Sequence, residues 1–148
     1  MAWDPTQIAD YLLAECRERG ELLTNLKLQK LLYYAQAWYL VLRGAPLFNE
    51  DFRAWVHGPV LLSQYHRFKD YQWRQITEEI CRPDNLPDDV VDHLNEVVDV
   101  FGSETAVALE LMTHREKPWL DARGNLAAHE AGSTIISKQS MAEYYASL

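Results

Sequence analysis

The residues of this 148-residue chain whose types can do chemistry are five histidines, two cysteines and a concentrated set of carboxylates. His57, His66, His93, His114 and His129 fall into no metal-binding spacing, and no HExxH occurs. His93-x-x-Glu96 lies in a helical pattern whose other polar residues read as solvent-facing. Cys16 and Cys81 stand alone without a CxxC, and Cys16 falls on the apolar side of a helix pattern, where an inert thiol is expected. A GxSxG elbow, a GxGxxG and a phosphate-cradling glycine loop are all missing. The reading is a non-enzymatic protein with no required metal or organic cofactor.

One stretch resists so plain a reading. In "AWVHGPVLLSQYHRF", residues 54–68, Trp55, His57, Gly58 and Pro59 come together just ahead of a helical run. Two roles compete: a functional surface, or a structural hinge from which that helix hangs. Gly58 supplies flexibility and Pro59 a preset φ suited to a first helical position, so local physics favours the hinge.

The carboxylates are placed unevenly. Between Pro83 and His114 there are eight acids (Asp84, Asp88, Asp89, Asp92, Glu96, Asp99, Glu104 and Glu110) and no Lys or Arg. The rest of the chain holds 14 acids and 14 bases, so this segment carries the whole net charge of −8. Such a surface repels phosphate backbones and steers basic partners towards it. The plainer alternative is a solvated helix face that keeps the protein soluble. Lys27 and Lys30 make only a small basic spot, read as surface lysines, so no nucleic-acid partner is expected.

These residues need a scaffold, and the chain is long enough for one domain over residues 1–148. No apolar run approaches the ~18–20 residues of a membrane span, and "MAWDPTQIAD" lacks the pattern of a signal peptide. With two unpaired cysteines, the expected compartment is the cytoplasm, with no membrane partner.

The scaffold reads as helical. Asp4, Pro5 and Gln7 mark a helix start with a capping box, and Gly20 marks its end. "TNLKLQKLLYYAQAWYLVLRG" gives the strongest signal, a helix over 25–43 capped by Thr24 and stopped by Gly44. Leu28, Leu31, Leu32, Ala35, Trp38, Tyr39 and Leu42 make its core stripe, while Leu26, Tyr33, Leu40 and Val41 cover other faces. A helix apolar nearly all round belongs in the middle of a bundle. Gln29, Gln36 and Arg43, seven residues apart, form its one continuous polar ridge.

Between Ala45 and Gly58 the helical period gives way to loose alternation, so a short extended piece or hairpin fits there. Further helices are predicted after Gly58-Pro59, over "PDNLPDDVVDHLNEVVDVFG", over "ETAVALELMTH" as a mostly buried element, and from near Pro118. "STIISKQSMAEYYASL" reads as a brief extended piece and a terminal helix. The fold class is mainly α: a single-domain bundle around a buried central helix, with at most a short β-hairpin or extended segments.

Four stretches, in this order, resemble the Panacea domain family, first catalogued in phage-associated proteins: "LTNLKLQKLLYYAQAWYL", "APLF", "FRAWVHGPVLLSQYHRFK" and "LELMTHREKPWLDAR". The resemblance spans roughly residues 8–145. It rests on Leu28, Lys30, Leu31 and Tyr34, on Ala54, Trp55, Gly58, Pro59, Val60 and Tyr65, and on Thr113, His114, Pro118 and Trp119. His57 stands where the family more often has an aromatic such as tyrosine. The resemblance implies a mainly helical antitoxin that neutralises a cognate protein toxin by direct binding. Candidate partner-binding residues are Lys30, Trp55, His57, Gly58, Pro59, Tyr65, His114 and Trp119. Two other readings stand beside it: an adaptor that delivers a bound protein to a protease, and a small enzyme with a site near His57, Lys30 and His114.

Overall fold

The structure is a computed structural model and describes residues 2–148. Local signals set most of the helix ends. α1 (Pro5–Glu18) begins where Asp4 accepts the Thr6 amide at 2.9 Å, with Pro5 in the first position. Gln7 does not close the expected capping box, because its side chain reaches away to donate to Asn85 at 3.1 Å. α2 (Asn25–Arg43) starts at Thr24, whose hydroxyl accepts the Lys27 amide, and stops at Gly44 in the left-handed conformation.

α2 is the centre of the bundle. Leu28, Leu31, Leu32, Tyr33 and Ala35 are fully buried along it. Leu42 departs from the expected core stripe: it is 66% exposed on the wall of an open groove. The two glutamines of the polar ridge are buried instead, and only Arg43 is exposed. Gln36 donates to the Phe48 carbonyl and accepts the Leu47 amide, both at 2.7 Å. Gln29 accepts the Leu61 amide at 2.9 Å and donates to Asn25, which in turn donates to the Tyr65 carbonyl. Two glutamines seven residues apart therefore hold two irregular segments by their backbones, satisfying groups that no ladder reaches.

The alternating stretch forms a hairpin. β1 (Phe52–Trp55) pairs antiparallel with β2 (Gly58–Val60), placing Trp55 opposite Gly58 and Ala54 opposite Pro59. β3 (Ile135–Ile136) joins the other side of β1, so the sheet order is β2-β1-β3. Gly58 and Pro59 thus do not open a helix. They sit in an edge strand, where proline's missing N–H breaks no ladder, and α3 (Leu62–Phe68) starts only after Leu61. The expected hinge is a hairpin corner, turned at Val56-His57 with Gly58 at φ +104°.

Beyond a 3₁₀ turn at Lys69–Tyr71 the chain returns to α2, the Ile76 amide donating to the Leu23 carbonyl at 2.8 Å. α4 (Asp88–Phe101) buries Val90, Leu94, Val97 and Val98. His93 turns inward with them, its Nε2 lying 2.9 Å from the Ala35 carbonyl, so its segment is not a wholly solvated face. α5 (Ala106–His114) buries only Leu109 and Thr113; Val107 and Leu111 are exposed, because α2 and β2 cover just one side of it. α6 (Lys117–Arg123) and α7 (Lys138–Ala146) close the fold.

α7 docks on α2 through a polar cluster inside aromatic packing. The Tyr34 and Tyr145 hydroxyls each donate to Glu116 at 2.7 Å, and the Tyr33 and Tyr145 hydroxyls are hydrogen-bonded at 3.1 Å. Burial pushes the Glu116 carboxyl above its ordinary pKa, and its two tyrosine donors oppose that rise. The architecture is mainly α: seven α-helices and one small antiparallel sheet among the described residues. No helix among them is long and apolar enough to cross a membrane.

Candidate partner-binding site

The hairpin corner leans over the start of α2, and an open groove of about 890 Å³ lies between them. Trp55, His57, Val60 and Tyr65 form one wall, while Leu26, Gln29 and Lys30 form the floor. Trp73, from the loop after α3, also lines it and stands 80% exposed. Trp55 and Tyr65 meet edge to face, their ring centroids 4.8 Å apart, and the Trp55 indole N–H donates to the Ser133 hydroxyl. The wall is built by sequence-local means: a two-residue turn exposes His57, and the strand alternation turns Trp55 outward while Phe52 and Ala54 go inward.

Lys30 is not a surface lysine. It is fully buried, and its ammonium donates to the Pro59 carbonyl at 3.2 Å. Burial lowers its pKa to about 7, with the Glu110 charge acting in the opposite direction. Its stem passes beneath Gly58, where a β-carbon would stand 2.7 Å from Lys30 Cε. Glu110 does not belong to the acidic surface. It is half-buried, and its carboxylate lies 3.1 Å from His57 Nδ1 at the rim of the groove.

The structure therefore brings Lys30, Trp55, His57 and Tyr65 to one groove and places Gly58 and Pro59 against Lys30 behind it. His114 and Trp119 are not part of its lining. They stack on each other at 4.2 Å, and Trp119 is buried with its indole N–H donating to the Trp55 carbonyl at 2.8 Å. Burial lowers the His114 pKa. Arg123, also buried, donates to the Ala54, Ala127 and Glu130 carbonyls, so α6 anchors the hairpin from inside.

Sequence reasoning missed Glu110, Trp73, Gln29 and Arg123. Glu110 lies three and four residues before Thr113 and His114, a spacing that puts all three on one side of α5. Trp73 is a lone aromatic inside the polar run "YQWRQ", the pattern of a surface aromatic. Arg123 carried no such signal. Cys16 is buried with its thiol pushed up to about 11, the inert state expected of it. Among the described residues, no three His, Cys, Asp or Glu side chains converge on a metal-sized site.

Chemically, the groove offers three aromatic faces, a carboxylate–imidazole pair on its rim and a buried amine whose charge is poised near neutral pH. Aromatic faces of this kind bury large areas at low entropy cost and suit a protein partner.

Comparison with known proteins gives the same direction. A family profile described as "Antitoxin SocA-like, Panacea domain" matches residues 28–120, which include Gln29, Lys30, Trp55, His57, Val60, Tyr65, Trp73 and Glu110 of the groove but not Leu26. The chain is also 30% identical over 128 residues to Antitoxin SocA of Caulobacter vibrioides (strain NA1000 / CB15N), covering 78% of this chain and 68% of that protein. No solved structure matches significantly. The family match takes in α2, the hairpin, α3, α4 and α5 and reaches into α6, and on this basis the chain belongs to the SocA-like antitoxin family with its Panacea domain.

Proposed function

We propose that this protein is a non-enzymatic, single-domain antitoxin of the cytoplasm that neutralises a cognate protein toxin by direct contact, and that the toxin seats in the groove between the hairpin corner and α2. One observation carries the placement: within the family-matched region, the groove gathers Trp55, Tyr65 and the exposed Trp73 around a rim of His57 and Glu110. Aromatic residues around a concave surface are the usual anchors of protein interfaces. The acidic face of α4 assists encounter, since rim charges act chiefly on association.

Co-expression with the product of a short reading frame beside the gene, scored by cell growth, tests the function. Restored growth is the expected result; toxicity undiminished by the folded protein overturns the antitoxin reading. Binding kinetics of folded variants then test the placement. Trp73→Ala and Tyr65→Ala should speed dissociation at least tenfold, whereas Asp92→Lys with Glu96→Lys should slow association and flatten its salt dependence. Rates unchanged in Trp73→Ala and Tyr65→Ala move the interface away from the hairpin.

A further inference from the structure

α2 and α4 run antiparallel, as three successive pairs show. Tyr34 stacks on Phe101 at 4.3 Å, Tyr39 meets His93 at 5.2 Å, and Arg43 pairs with Asp89 at 2.7 Å. On one side of this pair no other element among the described residues fills the seam. It stays open as a groove of about 270 Å³ walled by Trp38 and Leu42 from α2 and by Val97 and Val100 from α4. Leu42 is 66% and Val100 53% exposed, a degree of apolar exposure that a packed seam does not leave.

The border of the groove is charged in one sense. Glu96 lines it one turn from Val100, and Asp92 lies one turn further back on the same helix; both are exposed. Asp89 and Asp99, at the two ends of this row, are taken by Arg43 and Arg19. Asp92 and Glu96 have no Lys or Arg ion-pair partner among the described residues, and the segment from Pro83 to His114 supplies no base of its own.

We propose that this groove is a second interaction surface and takes an amphipathic basic helix of a partner protein. Its apolar side would lie between Leu42 and Val100, and its Lys or Arg side chains over Asp92 and Glu96. The geometry is that of a third helix laid into a two-helix seam, reading anchors at successive turns. Charge selects among occupants. A second copy would bring Asp92 and Glu96 against like charges, and phosphate-bearing surfaces would be repelled, whereas a basic helix meets complementary potential. The inference is independent of where a toxin seats on the hairpin groove.

The test needs no toxin. The full-length protein is titrated by calorimetry with an 18-residue amphipathic helical peptide of Leu and Lys, and with the same peptide carrying Glu for Lys. The Lys peptide should bind and the Glu peptide should not. Leu42→Gln with Val100→Gln, both at exposed positions, should weaken binding at least tenfold while leaving the melting temperature near that of the parent. Asp92→Lys with Glu96→Lys should weaken it and flatten its salt dependence. Ile135→Gln, an exposed apolar residue of the sheet, should bind like the parent. Equal binding of both peptides, or undiminished binding by the Gln double variant, overturns the proposal. So does a sedimentation experiment in which the parent is a dimer and the Gln double variant a monomer, which would make the occupant a second copy.

Discussion

Lys30 and Gly58 interlock: the lysine stem fills the space that any side chain at position 58 would need. A β-carbon there would also stand 2.8 Å from the Thr113 hydroxyl, and φ of +104° strains every residue but glycine. Gly58→Ala is therefore expected to destabilise by about 2–3 kcal/mol, from backbone strain and overlap together. Adding Lys30→Ala should relieve part of this and make the pair non-additive, since the Thr113 contact and the backbone strain then remain. Urea midpoints of the two single variants and the double variant check it; Gly58→Ala within roughly 0.5 kcal/mol of the parent would show that the corner is not fixed by this contact.

A lysine whose folded pKa lies near 7 leaves a signature in stability against pH. Between that value and its ordinary 10.5 the unfolded chain holds the proton and the folded chain does not, so stability rises with pH across the window. Below pH 7 both states are protonated, and the full burden of a buried charge remains. Lys30→Met should remove the rise and exceed the parent in stability at pH 6.5, with the gap closing towards pH 9.5. Parallel curves for parent and variant over that range would show that Lys30 is not buried as described.

At Glu116 the sign is reversed. Its raised folded pKa means that stability falls as pH climbs from the ordinary carboxyl range through the folded value. Glu116→Gln, which still accepts from Tyr34 and Tyr145, should gain on the parent between pH 4 and pH 7. Glu116→Ala leaves the buried Tyr34 hydroxyl without an acceptor and Tyr145 with only the Tyr33 hydroxyl, and should cost about 1–3 kcal/mol. Thermal melts at the two pH values distinguish these outcomes; equal losses for Gln and Ala would refute the role of the carboxyl oxygen as acceptor.

Two leucines of α2, eleven residues apart, should respond in opposite ways. Leu31 is fully buried, so Leu31→Asp places a charge in the core and should cost about 3–5 kcal/mol. Leu42 is exposed, and Leu42→Asp should stay within about 0.5 kcal/mol of the parent. A large loss at Leu42 would mean that its groove is filled in the native protein.

The helices were legible because their signals are local. Caps at Asp4 and Thr24, the stop at Gly44 and the 3.6-residue period of α4 act within a few residues of where they are read. The hairpin corner was misread for the same reason: Gly58-Pro59 is a valid helix start until the pairing of Ala54 with Pro59, a tertiary fact, decides otherwise. Periodicity also tells which residues are apolar without telling whether a neighbour arrives to cover them. That is why Leu42 reads as core and α5 as mostly buried, while Leu42, Val107 and Leu111 lie open. Of the eight candidate residues, Lys30, Trp55, His57 and Tyr65 share one groove, three of them motif residues and His57 their neighbour in sequence. Its electrostatics were not legible: the burial of Lys30 and the inward turn of Glu110 depend on how α5 packs beside the corner.

The buried glutamines of α2 tie the local opening of irregular segments to the opening of a helix. The amides of Leu47 and Leu61 lie outside the helices and sheet ladders, yet each donates to a side chain carried by α2. Their protons should therefore exchange with solvent as slowly as those in the middle of α2, far more slowly than neighbouring loop amides. Replacing Gln36 with Leu should release the Leu47 proton while leaving that of Leu61 slow. In terms of exchange, the loop before the hairpin and the turn after it are clients of the central helix, and their tethered amides should open only when it does.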